Sequence, residues 1–479
     1  MTAVAASAEC ALGLDLGTSG IKGVLLCRDG NVLSTETETY AFASPHSGWA
    51  EIRPELWEAA ARLVVTQLTR AASNAGATIV AVAVDGQMHG AVLADAAGDA
   101  VRPAILWPDT RASNELAAWR AADPAVTASL ANPLSAGMAG PMLAWIAHHE
   151  PAAFARGHVF LAAKDWLRSR LVPGSFVADP ADASATLLWD VTTDRWNVEL
   201  AESVGLDPAL LPDVLPSAAQ AGVVPASIAQ SWGLPTGVPV AVGSGDVAAT
   251  LRGMGAVPGT LSVILGSGAQ ALLPRVTAVA SAAPAFHSFR AADDSYFAMA
   301  ALMNGGIALQ RVRELIGIEW ADLYGAANMP LTASDPIFLP YFAGERVPRL
   351  IASGTASWHG MDLATSREVL AASAIEGMMF GLRKAISALP HNTGTIDLVG
   401  GGSRHPLVQQ LTADVLGRPV ARRSVENATA SGAALLAWEC IGVTDVPQSF
   451  ESTPALQPHE RDGREERYSR FVAATDSFG

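Results

Sequence analysis

Alternating apolar and polar or small residues near the start of the chain predict a β-hairpin. In the segment 11–16, leucines alternate with Gly13 and Asp15, which is the period of a strand with one apolar face. The segment 17–20 carries turn residues, and 21–26 reads as a second strand. The pattern therefore predicts two strands joined by a tight turn, with Asp15 on the face opposite the leucines.

The rest of the chain mixes the periods of strands and helices. Helical spacing is clearest at 54–69, where Trp57, Ala60, Leu63 and Val64 share one side. Later glycine-bearing loops each follow a strand-like run, which is typical of an α/β protein. The predicted strands are 79–84, 91–94, 239–242, 261–265 and 269–273, and further helices are predicted at 406–416 and 432–438.

Length and loop composition predict two domains. At 479 residues the chain is about two to three times the length of a common domain, and 214–240 is rich in proline, glycine and small residues. We place the boundary after this stretch, which gives domains 1–244 and 245–479. Asp15 and Asp246 each occupy a glycine-bearing loop after an apolar strand, which suggests two copies of one fold.

Composition excludes several classes of protein. Half of the residues are apolar and 16% are charged, as in a globular chain rather than a disordered one. The net charge of −15 has the wrong sign for binding nucleic acid or an anionic membrane surface. No apolar run is long enough to cross a bilayer, and the first residues lack a charged signal-peptide region. We expect a cytoplasmic protein without a nucleic-acid or membrane partner.

The cysteines indicate a reducing compartment. Cys10, Cys27 and Cys440 are odd in number and include no CxxC pair. We therefore expect neither a disulfide framework nor a thiolate zinc site.

Glycine loops invite a nucleotide-binding hypothesis. Gly243-Ser244-Gly245-Asp246-Val247-Ala248 matches the G-x-G-x-x-A dinucleotide pattern, but the acidic residue expected about 20 positions later, after a second strand, is missing. A nicotinamide oxidoreductase is thus a distant alternative. The chain has no G-x-x-x-x-G-K-[ST], G-x-S-x-G or H-E-x-x-H sequence, so the usual P-loop, hydrolase and zinc-protease motifs are absent.

Two aspartates have both a structural and a chemical interpretation. Asp15 can cap the turn after its strand, or it can hold a hydrated Mg²⁺ ion beside the hydroxyls of Thr18 and Ser19. Asp246 can cap the helix that opens at Val247, or it can act as a general base at the end of an apolar strand. The residues alone leave both alternatives open.

A polar loop and an aromatic cluster are the candidates for ligand binding. Gly86-Gln87-Met88-His89-Gly90 lies between two predicted strands, and no second histidine or cysteine stands at metal-ligand spacing. Trp107, Asp109 and Arg111 combine a flat apolar wall with a carboxylate and a guanidinium, which suits a polyhydroxylated ligand. An ion pair beside a packed tryptophan has the same sequence pattern.

Taken in order, these motifs resemble the FGGY family of carbohydrate kinases, most closely the branch that acts on xylulose. The resemblance covers nearly the whole chain, and the 86–90 loop is its most specific part. The other motifs are Ala11-Leu12-Gly13-Leu14-Asp15-Leu16-Gly17-Thr18-Ser19, Gly48-Trp49-Ala50-Glu51, Arg102-Pro103-Ala104-Ile105-Leu106-Trp107, Asp182-Ala183-Ser184, Phe338-Leu339-Pro340-Tyr341, Gly344-Glu345-Arg346 and Gly400-Gly401-Gly402-Ser403.

The resemblance implies an α/β fold of two ribonuclease-H-like domains, of the actin and sugar-kinase type, flanking a deep cleft. It implies that 1–244 binds sugar, that 245–479 binds ATP, and that Asp246 is the catalytic base with Asp15 as the Mg²⁺-associated carboxylate. The implied sugar contacts are Gln87, Met88, His89, Trp107, Asp109, Arg111 and Asp246. The implied ATP contacts are Gly17, Thr18, Ser19, Lys22, Gly266, Ser267, Gly401, Gly402 and Ser403.

The implied reaction is ATP-dependent phosphorylation of the terminal hydroxyl of a ketopentose, D-xylulose first, with Mg²⁺ as cofactor and possible homodimers. A related kinase acting on ribulose, another ketose or a polyol is the alternative, and an ATP-binding conformational switch of the same fold is the non-enzyme alternative. The chain departs from the family pattern at Gly266-Ser267-Gly268-Ala269, at Pro108 and at Asp85, where a small residue is common.

Overall fold

A computed structural model describes residues 8–278, 280–281, 283–342, 344–345, 347, 354, 356–390, 393–448 and 450–477. Arg346, part of one family-like motif, lies outside these residues. The strands are β1 (Ala8–Leu16), β2 (Gly20–Cys27), β3 (Val32–Thr39), β4 (Glu51–Ile52), β5 (Ala77–Gly86), β6 (Val92–Ala94), β7 (Ala104–Ile105), β8 (Val159–Leu161), β9 (Val177–Ala178), β10 (Trp189–Asp190), β11 (Arg195–Trp196), β12 (Asp213–Val214), β13 (Gln220–Val223), β14 (Pro239–Ala241), β15 (Ser262–Leu265), β16 (Ala269–Arg275), β17 (His287–Arg290), β18 (Tyr296–Leu302), β19 (Ile337–Leu339), β20 (Ser357–His359), β21 (Ile396–Val399), β22 (Val420–Ser424) and β23 (Glu451–Ser452).

Helices alternate with these strands along the chain. The α-helices are α1 (Pro54–Asn74), α2 (Leu116–Ala121), α3 (Pro124–Ser129), α4 (Ala139–His149), α5 (Pro151–Phe154), α6 (Ala163–Leu171), α7 (Pro180–Ser184), α8 (Val198–Ser203), α9 (Ala226–Trp232), α10 (Asp246–Gly253), α11 (Gly306–Ile316), α12 (Trp320–Ala326), α13 (Arg367–Ser387), α14 (Pro406–Leu416), α15 (Ala428–Cys440) and α16 (Arg464–Asp476). Short 3₁₀ turns occupy Arg111–Ser113, Pro208–Leu210 and Gly401–Arg404.

Two large sheets organise the fold. The first has the strand order β13-β14-β5-β1-β2-β3, with β1 and β2 antiparallel and β1, β5 and β14 parallel. The second has the order β17-β18-β16-β15-β21-β22-β23 and repeats the arrangement of a hairpin, β15 and β16, beside parallel strands β21 and β22. The predicted two-domain α/β fold is confirmed.

Helices cover the faces of both sheets. The apolar side of α1 packs on β2 and β3, where Trp57, Ala60 and Val64 are buried as the spacing in 54–69 predicts. Leu63, predicted to share this side, is instead exposed, because its position turns it toward the opposite face of the helix. α13 packs against β16 and β18 of the second sheet, and α14 against β22. No helix of the described residues is long and apolar enough to span a membrane.

A helix from the second half of the chain completes the first sheet. α15 packs against β1 and β5, and it also lies along α10, where each helix places a glycine against the other's backbone. A Cβ atom at Gly253 would overlap the carbonyl oxygen of Ala428, and one at Gly432 would overlap that of Ala249. The first sheet therefore packs against a close helix pair from the second half of the chain, and α10 is held where Asp246 begins it.

One expectation about the cysteines is wrong. Cys10 and Cys27 face each other in the register of β1 and β2, with Cα atoms 4.0 Å apart, and they form a disulfide. Counting cysteines did not reveal this pair, because the two residues are separated by 17 positions and become neighbours only when the hairpin forms. Cys440 has a free thiol.

Candidate active site

Three neighbouring strand ends bring Asp15, Asp85 and Asp246 to one edge of the first sheet. Asp15 is the last residue but one of β1 and is the direct register partner of Asp85 on the parallel strand β5. Gly86 then bridges to Gly245, one residue before α10 begins at Asp246. Since the carboxyl ends of parallel strands meet at one edge, ligands of open α/β sheets commonly bind there.

The tight turn after Asp15 is held by the backbone and by one tyrosine. The N–H of Gly17 donates to the Gly20 carbonyl at 2.9 Å. The Tyr40 hydroxyl donates to the Gly17 carbonyl at 2.5 Å and to the Gly20 carbonyl at 3.1 Å. Ser19 is exposed at the tip, and Lys22 lies opposite Asp15 in the hairpin register. The turn therefore presents Ser19 and nearby backbone groups beside a carboxylate and an amine.

Burial changes the acidity of the two predicted catalytic carboxyls. It raises the pKa of Asp15 to about 6, although contact with Asp85 and the charge of Lys22 lower it in part. It raises the pKa of Asp246 to about 7, with the charge of Asp15 adding to the effect. The Oδ1 atom of Asp246 also accepts a hydrogen bond from the N–H of Val247 at 2.8 Å. A carboxyl with a pKa near neutrality suits proton transfer at physiological pH.

Gln87 is tied to the first turn through a chain of hydrogen bonds. The Trp107 indole N–H donates to the Thr18 hydroxyl at 2.9 Å, and this hydroxyl donates to Gln87 Oε1 at 3.3 Å. The amide of Gln87 donates in turn to the Gly17 carbonyl at 3.3 Å. The structure thus brings together two residues predicted to bind sugar, Gln87 and Trp107, and two predicted to bind ATP, Gly17 and Thr18, and it links the two loops.

Met88 and His89 line the same edge of the sheet. Met88 is buried, and a Cβ atom added to Gly245 would lie 2.7 Å from its Cγ atom, so glycine is needed for this close approach. His89 is half-buried and has a φ of 74°. Its Nδ1 atom lies 2.9 Å from the Ala185 carbonyl, which fixes the proton on that nitrogen.

Asp109 and Arg111 are bonded to each other. Arg111 Nη2 lies 2.7 Å from Asp109 Oδ2, and both side chains are about 1% exposed. Arg111 also pairs with Glu51 at 2.6 Å and stacks over Trp49 with its guanidinium carbon 3.5 Å from the ring centroid. Their assignment as sugar contacts stays a prediction. Because both charged groups are already bonded to each other and are buried, they are better placed to hold the loop that carries Trp107 than to contact a sugar directly.

Sequence reasoning missed a buried ion cluster behind the site. Lys164 Nζ lies 2.5 Å from Asp165, 3.0 Å from Asp179 and 3.4 Å from Asp182. Burial lowers the pKa of Lys164, but these three carboxylates outweigh that effect and raise it overall. The available signal was that 163–171 places charged residues directly beside the large apolar residues Trp166 and Leu167.

Asp85 was not predicted as a site residue, although it directly precedes the 86–90 loop. It is 0% exposed, and no donor group of the described residues hydrogen-bonds to either carboxylate oxygen. Burial raises its pKa well above the usual value, and the charges of Asp15 and Asp246 add to this. The sequence signal was a carboxylate at the end of a strand that is otherwise apolar.

The second glycine loop lies against the start of a helix. Gly266 and Ser267 are exposed in the turn between β15 and β16. Their carbonyls accept hydrogen bonds from Gly306 at 2.9 Å and Ile307 at 3.0 Å, at the beginning of α11. A Cβ atom on Gly305 would overlap the backbone of Gly268. Gly305 and Gly306, which sequence reasoning missed, therefore allow the loop and helix to pack closely.

The third glycine loop lies at the same sheet edge, because β21 is parallel to β15. Gly401 is exposed and Gly402 is half-buried, so their backbones can approach a ligand. Ser403 is fully buried, and its hydroxyl donates to the Gly400 carbonyl at 2.7 Å. Ser403 closes this turn, and its assignment as an ATP contact stays a prediction.

Comparisons with known proteins agree with this arrangement. The models of the N-terminal and C-terminal domains of the FGGY family of carbohydrate kinases match residues 10–253 and 256–438. The chain is 30% identical to the xylulose kinase of Escherichia coli (strain K12) over 478 residues, covering 98% of this chain and 97% of that protein.

Solved structures show the same similarity. A xyloylose kinase from Brucella ovis superposes with a TM-score of 0.90 and 31% identity, covering 98% of this chain and 99% of that one. The xylulose kinase from Rhodospirillum rubrum gives a TM-score of 0.88 with 26% identity, covering 98% of each chain. Since the family models match most of its length, this chain belongs to the FGGY family of carbohydrate kinases and is a sugar phosphotransferase.

Proposed function

We propose that this enzyme transfers the terminal phosphoryl group of ATP to the terminal hydroxyl of D-xylulose, giving D-xylulose 5-phosphate and ADP. The observation that carries the proposal is the position of Asp246. It begins α10 directly after Gly245, which is packed against Met88 of the 86–90 loop, and its pKa is raised to about 7. The sequence and structural similarity to xylulose kinases supports this substrate.

Asp246 acts as the general base. A sugar hydroxyl is almost fully protonated at neutral pH, so its oxygen becomes a good nucleophile when a carboxylate accepts the proton as the new bond forms. When the pH equals its pKa of about 7, the Asp246 carboxyl is ionised in half of the molecules, and this fraction grows as the pH rises. The proton moves from the hydroxyl oxygen to a carboxylate oxygen of Asp246. The bond between the terminal phosphorus of ATP and its bridging oxygen breaks, ADP leaves with that oxygen, and the phosphorus bonds to the sugar oxygen.

The sugar is held by the first domain, 1–244, and ATP by the second, 245–479. Gln87, Met88 and His89 bind and orient the sugar, while Trp107 supplies an apolar wall. The glycine turns at 17–19, 266–268 and 401–402 offer backbone N–H groups to the phosphates and the nucleoside. Lys22 adds a positive charge next to the first turn.

The residues around Asp15 fit a magnesium ion. Asp15 ends a strand beside an exposed turn, and Asp85 next to it is a buried carboxyl without a donor among the described residues. Mg²⁺ is commonly held by one or two carboxylates, with water and substrate phosphates completing its coordination. When bound, it supplies positive charge to the phosphate oxygens.

A coupled assay of ADP release tests the proposal. Mg²⁺·ATP is supplied with D-xylulose, D-ribulose, L-ribulose, L-xylulose, glycerol or erythritol, and with no sugar. We expect D-xylulose to stimulate ADP release far above the control without sugar and above the other acceptors. Stronger stimulation by ribulose or a polyol would assign a different substrate, and equal release with and without sugar would contradict the kinase function.

A further inference from the structure

We propose that Asp85 is a second carboxylate ligand of the magnesium ion, beside Asp15, and that this pair binds the ion before nucleotide arrives. The inference rests on the proposed phosphoryl transfer, and it adds a residue that the motif comparison did not assign to the site. Its basis is the position, burial and lack of hydrogen-bond donors of the Asp85 carboxyl.

Register and strand direction place the two carboxyls together. Asp15 and Asp85 are direct partners on neighbouring parallel strands, which lie about 5 Å apart, and their side chains lie on the same side of the sheet. The carboxyl of Asp85 contacts that of Asp15. Two ionised carboxylates are acceptors only, so a proton or a cation must lie between them.

The local charges leave room for a cation. Lys22 acts on Asp15, and the buried cations Lys164 and Arg168 are already paired with Asp165, Asp179 and Asp182. No lysine, arginine or histidine among the described residues forms an ion pair with Asp85. A buried carboxylate without such a partner is costly, and a divalent cation removes that cost.

The number of ligands also fits magnesium. In the described part of the chain, no group of three histidine, cysteine, aspartate or glutamate side chains is arranged to hold a metal by itself. Mg²⁺ does not need such a cage, because water and substrate phosphates supply its remaining ligands. A pair of adjacent carboxylates at the edge of the phosphate turn is therefore sufficient.

Binding of Mn²⁺ to the nucleotide-free protein, followed by its electron paramagnetic resonance signal, tests the inference. Mn²⁺ serves as the probe because it prefers the same oxygen ligands as Mg²⁺. We expect one ion per chain in the wild type, and a loss of affinity of at least about tenfold in both Asp85→Ala and Asp85→Asn. Asp182→Asn, which removes a nearby carboxylate that is already paired with Lys164, is the matched control and should change the affinity much less.

The asparagine variant separates the two possible roles of Asp85. An asparagine amide can still donate a hydrogen bond to Asp15, as a protonated Asp85 would. If Asp85→Asn binds Mn²⁺ as tightly as the wild type, Asp85 acts only by hydrogen bonding, and the inference is overturned. Absence of Mn²⁺ binding by the nucleotide-free wild type also overturns it.

Thermal unfolding gives an independent readout. In EDTA, Asp85→Ala should melt above the wild type, because the substitution removes a buried carboxyl that lies against that of Asp15 with no cation between them. Added Mg²⁺ should raise the melting temperature of the wild type and leave that of Asp85→Ala nearly unchanged. Equal magnesium-induced shifts in both proteins contradict the inference. Sugar-dependent ADP release by the same wild-type sample tests the proposed function separately.

Discussion

Single residues at this sheet edge differ in chemistry because their surroundings differ. Asp15, Asp85 and Asp246 are all aspartates, yet only Asp15 lies opposite a lysine, Lys22, and only Asp246 begins a helix. Asp85 is fully buried between them. The same residue type can therefore hold a metal ion or accept a proton, according to its neighbours.

The raised pKa of Asp246 predicts the pH dependence of the reaction. Its value shifts from 3.8 to about 7, so Asp246, the proposed general base, becomes protonated as the pH drops below about 7, and kcat should fall with it. Asp246→Asn should lower kcat by about 10²- to 10⁴-fold while sugar still binds. Initial rates between pH 5.5 and 8.5, with sugar affinity from calorimetry, measure both effects.

The stability of the folded protein should fall as the pH rises, whereas kcat should increase. A group whose pKa is raised by folding stabilises the fold when protonated, and this contribution is lost as the pH rises from about 4 to 7. Asp246→Asn should therefore show less loss of stability over that range. Asp294→Asn, at an exposed carboxylate, is the control for both measurements. It should leave the pH dependence of kcat and that of stability as they are in the wild type.

At the scale of elements, α6 shows how a buried helix carries charge. Nearly all of its residues are buried, including Lys164, Asp165 and Arg168. The Arg168 guanidinium also donates to the carbonyls of Val242 at 2.9 Å and Val177 at 2.6 Å. The helix is thereby joined to the strand ends near β14, and it supports the segment that leads into Asp246.

Loss of the Lys164 ammonium should destabilise the fold strongly. Lys164→Gln leaves three buried carboxylates without their common cation. We therefore expect the free energy of unfolding to fall by about 3–5 kcal/mol. Urea denaturation measures the change. Lys384→Gln breaks a surface ion pair with Asp476 and serves as the control, with an expected cost of about 0–1 kcal/mol. Similar costs for the two variants would contradict this account of the cluster.

At the scale of the whole molecule, the halves are connected where α15, with α10 beside it, packs against strands of the first sheet. α10 carries Asp246, and α15 packs on the first sheet although it lies near the end of the chain. Gly432 of α15 lies directly against the backbone of Ala249 in α10. The spacing of these helices therefore sets where Asp246, the proposed general base, lies relative to the 86–90 loop.

A methyl group between these helices should reduce both stability and activity. Gly432→Ala places a Cβ atom against the Ala249 backbone, which cannot move without α10, and overpacking of this kind costs about 1–3 kcal/mol. We expect a lower melting temperature and a lower kcat, because Asp246 shifts with its helix. Gly325→Ala, at an exposed helix glycine with open space around it, is the control. Unchanged kcat in Gly432→Ala would show that this spacing does not position the base.

Local patterns were sufficient for the two hairpins, for the helices α1, α14 and α15, and for the glycine loops, whereas α13 (Arg367–Ser387) was not predicted. The alternation in 11–16, the spacing in 54–69 and the order of the motifs are properties of neighbouring residues, so they can be read along the chain. They predicted the two-domain α/β fold, and they also identified Asp15, Asp246 and the 86–90 loop as candidates.

Contacts between distant segments could not be read in that way. The Cys10–Cys27 disulfide and the contacts of Lys164 with Asp179 and Asp182 depend on which segments meet in the folded chain. Asp85 is the clearest case, because an aspartate at a strand end is ordinary until β1 is paired beside β5 and α15 packs against both strands. Local periodicity determines elements, whereas burial and charge balance arise only when those elements pack.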